Sequence, residues 1–202
     1  QAVLDALLRA GALPAPGSAA ALPLQRLTVQ GTEGRDGAAG LALLLHLRAA
    51  AGQSEGRLRR GWRQALRAVL PGLQTAFPEL LACAVQFPAR MGRGGPRRRG
   101  PTVEVLQGPA RLIKRVQGRA YRVPHTAFFQ VNLEQAGSLV GHVVEQVQAV
   151  CEADPAAAAR PVFDLFGGVG LFAQPLAERG RRGGGVDSDR EGLRAAEESA
   201  RA

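Results

Sequence analysis

The stretch Pro161-Val162-Phe163-Asp164-Leu165-Phe166-Gly167-Gly168-Val169-Gly170-Leu171-Phe172 constrains the chain more than any other. A short apolar run ends in an aspartate and a glycine-rich turn comes next. Phe172, Leu176 and Ala177 then recur at helical spacing, so the order predicts strand, tight turn, helix. In open α/β sheets ligands sit where such a strand ends at its carboxyl terminus, and glycines let the backbone approach them closely. Gly183-Gly184-Gly185-Val186-Asp187 reads as the next strand. A carboxylate at its end can accept hydrogen bonds from both hydroxyls of a ribose.

The spacing leaves the ligand open. Gly168-Val169-Gly170-Leu171-Phe172-Ala173 fits the dinucleotide fingerprint, whose last glycine tolerates alanine. Asp164 argues the other way, because a carboxylate repels a pyrophosphate and favours a cofactor with a cationic amino group, such as S-adenosylmethionine. A plain βα turn of any doubly wound sheet shares the same pattern.

At 202 residues the chain has room for one large domain or two modest ones, and 46% hydrophobic residues suffice for a core. Its formal charge of +9 points to an anionic partner, most simply nucleic acid. Nearly all the basic residues are arginine, Lys114 being the only lysine, and an Ala-, Gly-, Arg- and Pro-rich genome would produce the same bias. No segment reads as membrane-inserted and no signal or transit segment opens the chain, so a cytoplasmic, monomeric protein is expected. Cys83 and Cys151 stand alone, without metal-ligand spacing. Cys83 lies in an apolar run and reads as a buried thiol, Cys151 has no histidine near it in sequence, and no metal site is expected.

Helical spacing predicts an amphipathic helix over 2–10, and one strand is expected in the loop-rich region 11–40, around Leu24, Leu27 and Val29. Leu41 to Leu45 suits a buried strand, with His46 at its end. Leu58, Trp62, Leu66, Val69 and Leu70 form one face of a helix whose other positions carry Arg57, Arg59, Arg60, Arg63 and Arg67, and Pro71-Gly72 is expected to stop it. A short helix over 78–82 should lead into a strand over 84–87. Residues 90–100 read as a flexible arginine-rich loop able to meet a nucleic-acid backbone. Strands are expected over 103–106, 112–116 and 120–123, with Gly118 turning the last hairpin. Asn132 should cap a helix carrying Leu133, Ala136, Leu139, Val140, Val143, Val144 and Val147, and 152–160 reads as a linker.

The segment Tyr121-Arg122-Val123-Pro124-His125-Thr126-Ala127-Phe128-Phe129-Gln130-Val131-Asn132, followed by a long helix and then Asp164-Leu165-Phe166-Gly167-Gly168-Val169-Gly170, resembles the 5-methyluridine RNA methyltransferases of bacterial ribosomal and transfer RNA. In that family a Phe-x-Gln-x-Asn element precedes the cofactor domain at this distance. The resemblance implies an α/β fold: a central α+β domain over 1–127, then the first part of a Rossmann-like methyltransferase domain over 128–202. It implies S-adenosylmethionine as cofactor and rRNA or tRNA as partner. It places Gln130 on the cofactor, Asp164, Phe166, Gly168 and Gly170 in the turn that wraps it, Leu171 along the site, and Asp187 on the ribose.

Gly167 replaces the cysteine or serine common at its position in the family, which is expected to loosen the turn. The family's nucleophilic cysteine and its proton-abstracting glutamate lie far downstream, so no catalytic residue is expected in this chain. The upstream iron-sulfur cysteines and RNA-binding barrel likewise have no counterpart. The expectation is a fragment truncated at both ends and silent in methyl transfer, with residues 161–202 weakly ordered by themselves. A basic module that grips RNA without chemistry, or a methyltransferase for another substrate, are the alternatives.

Overall fold

The apolar run Leu41 to Leu45 forms the middle of a strand, as its length predicts. In a computed structural model the described residues are 5, 24–34, 36–47, 55–88, 90–91, 98–99 and 101–201. Apart from Asp5, the helix expected over 2–10 lies outside them. The chain divides into two compact units, Gln1–Ala110 and Arg111–Ala202.

In the first unit, β1 (Leu24–Glu33) runs antiparallel to β2 (Ala39–Leu47), with Arg26 opposite His46 and Thr28 opposite Leu44. The chain crosses over through α1 (Glu55–Ala76) and returns as β3 (Leu80–Phe87), parallel to β2, with His46 opposite Gln86. A parallel return requires such a crossover. After the two-residue strands β4 (Arg90–Met91) and β5 (Arg98–Arg99), β6 (Thr102–Gln107) pairs antiparallel with β3. The sheet order is β1-β2-β3-β6. One face, carrying Leu43, Leu45, Leu47, Cys83, Val85 and Phe87, packs on Trp62, Leu66, Val69, Leu70 and Leu73 of α1. Burial pushes the Cys83 thiol up to about 12, so it is an inert core group at neutral pH.

Three expectations are corrected here. The helix α1 continues past Pro71 to Ala76, because Leu73 is buried and Phe77 packs on the same core. That burial is worth about 1.5–3 kcal/mol per side chain, comparable with the ~3 kcal/mol an internal proline costs. Residues 80–82 are strand, not helix. Leu41 N donates to Glu79 O at 2.7 Å and Leu80 already pairs with Leu41. The arginine-rich loop carries a short antiparallel ribbon, Arg90 opposite Arg99 and Met91 opposite Arg98.

The arginines of α1 are partly spent on the fold. Arg59 lies 4.5 Å from the Phe87 ring centre and donates to Thr102 Oγ1 at 2.5 Å, while Arg63 grips the Glu104 carboxylate with two hydrogen bonds. Arg60 and Arg67 are exposed on the same helix.

The second unit opens with a hairpin, β7 (Arg111–Val116) and β8 (Arg119–Pro124), turned by Gln117 and Gly118, both at positive φ. The unit begins earlier than the expected division after residue 127 because this hairpin is tied to the helices of the carboxyl-terminal half. Arg111 pairs with Glu191 and Glu198, Arg119 with Glu178, and the Arg122 amide donates to Ser199 Oγ at 2.9 Å. Helix α2 (Leu133–Ala153) is capped as expected, Asn132 accepting from Gln135 N at 3.0 Å. The expected linker contains a short helix, α3 (Pro155–Ala158), capped by Asp154. The chain continues through β9 (Val162–Leu165), α4 (Ala173–Glu178), β10 (Gly183–Val186) and α5 (Arg190–Ala200). β9 and β10 are parallel, Asp164 opposite Gly185. The fold is α/β.

Candidate functional site

At the carboxyl end of β9 the chain reverses through Phe166 to Phe172. Phe166 sits at φ +61°, Gly168 at +52° and Gly170 at +81°. A phenylalanine in the left-handed region is strained, and such strain persists where the surroundings over-determine it, often at ligand turns. Here β10 does so, since Val186 O accepts from Phe166 N at 2.7 Å and from Gly167 N at 3.2 Å. The Phe166 side chain is 91% exposed.

Two carboxylates frame this turn. Asp187, just past β10, accepts from Gly168 N at 2.8 Å with Oδ2 and from Asp189 N at 2.7 Å with Oδ1. Those amides of Asp189 and Gly168 hold its pKa below the usual carboxylate value. Asp164 accepts from Ala173 N at 3.3 Å, capping α4 in place of Phe172, which has no capping side chain. Burial raises the pKa of Asp164, the Ala173 and Phe172 amides oppose that rise, and the charge of Asp187 adds to it. A Cβ at Gly167 would lie 3.1 Å from the Asp164 carboxyl. Glycine there therefore lets Asp164 close on the turn, a tightening rather than the expected loosening.

The turn is braced from two sides. Gln174, buried on α4, donates from Nε2 to Val169 O at 2.9 Å, and its own amide donates to Gly170 O. The fully buried Tyr121 of β8 donates its hydroxyl to Leu171 O at 3.1 Å. Its ring lies 5.6 Å from that of Phe129, the neighbour of Gln130. Burial pushes the Tyr121 phenol up to about 12, so it remains a donor at neutral pH. Sequence reasoning placed Tyr121 in a strand but missed its partner. The available signal was its alternation with Val123, also fully buried. Tyr121→Phe leaves the Leu171 carbonyl unpaired and is expected to lower the stability of this unit by about 1–2 kcal/mol, read from its melting transition, with helix and strand content unchanged.

The structure thus brings together Asp164, Phe166, Gly168, Gly170, Leu171 and Asp187. Gln130 is half-buried in the segment before α2, and among the described residues no hydrogen bond joins it to the turn. A cavity of about 450 Å³ lies between the strands and α4 and α5, reaching Asp164, Gly168 and Gly170 at one end and Arg182 at the other. Gly183, Gly184 and Gly185 of β10 and Leu193 and Ala196 of α5 also line it. On the other face of the strands Phe163, Leu165 and Val186 are 61, 66 and 53% exposed.

No family model and no curated protein sequence matches the chain. Among solved structures it is similar to a Pyrococcus abyssi tRNA (uracil-54, C5)-methyltransferase in complex with S-adenosyl-L-homocysteine, at TM-score 0.52 and 17% identity over 90% of this chain. The match spans 37% of that protein's length. Trm5b from Pyrococcus abyssi matches at TM-score 0.43 with 15% identity, over 89% of this chain and 44% of its own. At 17% identity the first likeness establishes the fold: the chain shares the α/β architecture of that methyltransferase.

Proposed function

We propose that the chain is part of an RNA methyltransferase that uses S-adenosylmethionine to methylate carbon 5 of a uridine in tRNA or rRNA. The observation that carries this reading is the pair of carboxylates, Asp164 and Asp187, closing on a glycine turn from the ends of two adjacent parallel strands. The likeness to a uracil-C5 methyltransferase bound to S-adenosyl-L-homocysteine supports it.

The residues present suit this cofactor better than a dinucleotide. The site is anionic, which opposes a pyrophosphate and attracts a sulfonium or ammonium group. Each Asp187 oxygen accepts one backbone N–H and retains acceptor capacity for ribose hydroxyls. Phe166, Gly168, Gly170 and Leu171 would wrap the ligand, and Gln130 would reach it from the segment that Phe129 and Tyr121 tie to the turn. When bound, S-adenosylmethionine supplies the methyl group. The residues of this chain bind and orient it. Burial holds Cys83 as a core thiol, and the reading gives no residue of this chain the role of thiolate or base toward the uracil.

Titration of the chain with S-adenosyl-L-homocysteine is expected to show weak, saturable binding, with a Kd on the order of 1 mM. Asp187→Ala should weaken it at least about tenfold, a loss of roughly 1.4 kcal/mol or more. Wild-type protein that binds no S-adenosyl-L-homocysteine, or an Asp187→Ala variant that binds as wild type does, overturns the reading.

A further inference from the structure

The first unit contains a polar cluster that the cofactor reading does not use. On the face of its sheet away from the α1 core, Ala42, Leu44, Ala82 and Ala84 are fully buried. At the carboxyl ends of β2 and β3 the same face turns polar. His46 Nε2 and Thr28 Oγ1 are 2.9 Å apart, His46 Nδ1 and Gln86 Oε1 2.5 Å, and Arg26 Nη2 is 3.4 Å from Nδ1. These groups open on a cavity of about 430 Å³ lined also by Gln25, Pro88 and Pro101.

The place and the chemistry agree. β2, α1 and β3 form a parallel crossover, and ligands of such units bind outside the carboxyl ends of the strands. The volume falls in the range of small-ligand sites. Burial lowers the His46 pKa, which keeps the imidazole neutral. With Nδ1–H given to Gln86, the ring offers Arg26 no acceptor, and among the described residues no carboxylate pairs with Arg26. The guanidinium therefore has N–H groups to give at the cavity, beside two side-chain amides that can read the edge of a base.

The formal charge of +9 on the chain favours a polyanion over a small free acid as the source of the ligand.

We propose that this cavity holds one unpaired nucleotide of an RNA strand, the Gln25 and Gln86 amides meeting its base edge and Arg26 its phosphate. The proposal deepens the reading of RNA as substrate, and rests on it.

The test is an NMR titration of the whole chain with uridine 5′-monophosphate, followed at the His46 imidazole. Saturable shifts at His46 are expected, with binding weakened about fivefold or more by Arg26→Ala. Arg26 is exposed, so that variant keeps its fold, and Gln25→Ala, equally exposed, should also weaken binding. A single-stranded oligouridine should bind more tightly than the mononucleotide, with an affinity that falls as salt rises. The proposal fails with any of three results: no His46 response up to ~10 mM nucleotide, Arg26→Ala binding as wild type does, or inorganic phosphate producing the same shifts as the nucleotide. S-Adenosyl-L-homocysteine added to the same sample reads the second unit separately. Its failure to bind while the nucleotide does would sink the methyltransferase reading and leave this site standing.

Discussion

Gly183→Ala is expected to dismantle the proposed cofactor site, while Gly184→Ala, one residue on, leaves it intact. A Cβ at Gly183 would stand 1.7 Å from Val162 O and within 3 Å of two more backbone atoms of Val162. Those atoms belong to the pairing of β9 with β10 and cannot move aside as a side chain would. Gly183 also sits at φ +156°, which L residues rarely adopt. Overpacking a well-fitted contact costs about 1–3 kcal/mol, and the backbone strain adds ~1–3 kcal/mol. A parallel sheet of only two four-residue strands has little reserve. At Gly184 nothing lies within 4 Å of the added carbon and φ is ordinary, so alanine there should be neutral or stabilising by about 0.4–1 kcal/mol through the unfolded chain. Thermal melting of the two variants, with S-adenosyl-L-homocysteine titrated into each, checks the contrast. The expected result is loss of the second unit's transition and of binding for Gly183→Ala alone. Equal melting of the two variants would mean that β10 does not pair with β9 as described.

The same triplet shows what the sequence could and could not disclose. Its glycines marked a strand next to a ligand turn, and the parallel pair β9–β10 is where periodicity and the run Gly183 to Asp187 placed it. Asp164 and Asp187 were legible as candidates because each stands near the carboxyl end of a strand, the position at which α/β sheets meet their ligands. What stayed hidden depends on contacts distant in sequence. Nothing local says that Tyr121 will donate to Leu171, or that Gln174 will hold Val169. Pro71 and Pro78 misled for the opposite reason. Local rules end a helix at the first and start one at the second, but the core contacts of Leu73 and the pairing of Leu80 with Leu41 prevail. The His46 cluster was invisible as a site because its members, Arg26, His46 and Gln86, come from three strands. The charge of the α1 arginines was legible, but its use was not. Two of them serve Thr102, Phe87 and Glu104 rather than a distant anion.

Trp62→Ala should be the most damaging single truncation in the first unit, and Trp62→Phe close to silent. Trp62 is the largest fully buried side chain, 1% exposed at the centre of the packing between α1 and the sheet. Removing an indole from such a position costs about 3–5 kcal/mol, a transfer loss plus a cavity that a parallel β2–β3 pair cannot collapse to fill. The chain has few aromatic residues, and the neighbours are leucines and valines already packed in place. The indole also carries a liability, because its Nε1–H is buried with no hydrogen-bond partner among the described residues. A buried donor left unpaired costs about 1–3 kcal/mol. Phenylalanine keeps most of the ring contacts and removes that donor, so the smaller volume is offset and the net change should be within ~1 kcal/mol. Denaturant unfolding of the two variants separates these contributions. A Trp62→Phe variant as unstable as Trp62→Ala would show that ring volume alone governs the site and that the indole N–H is in fact satisfied.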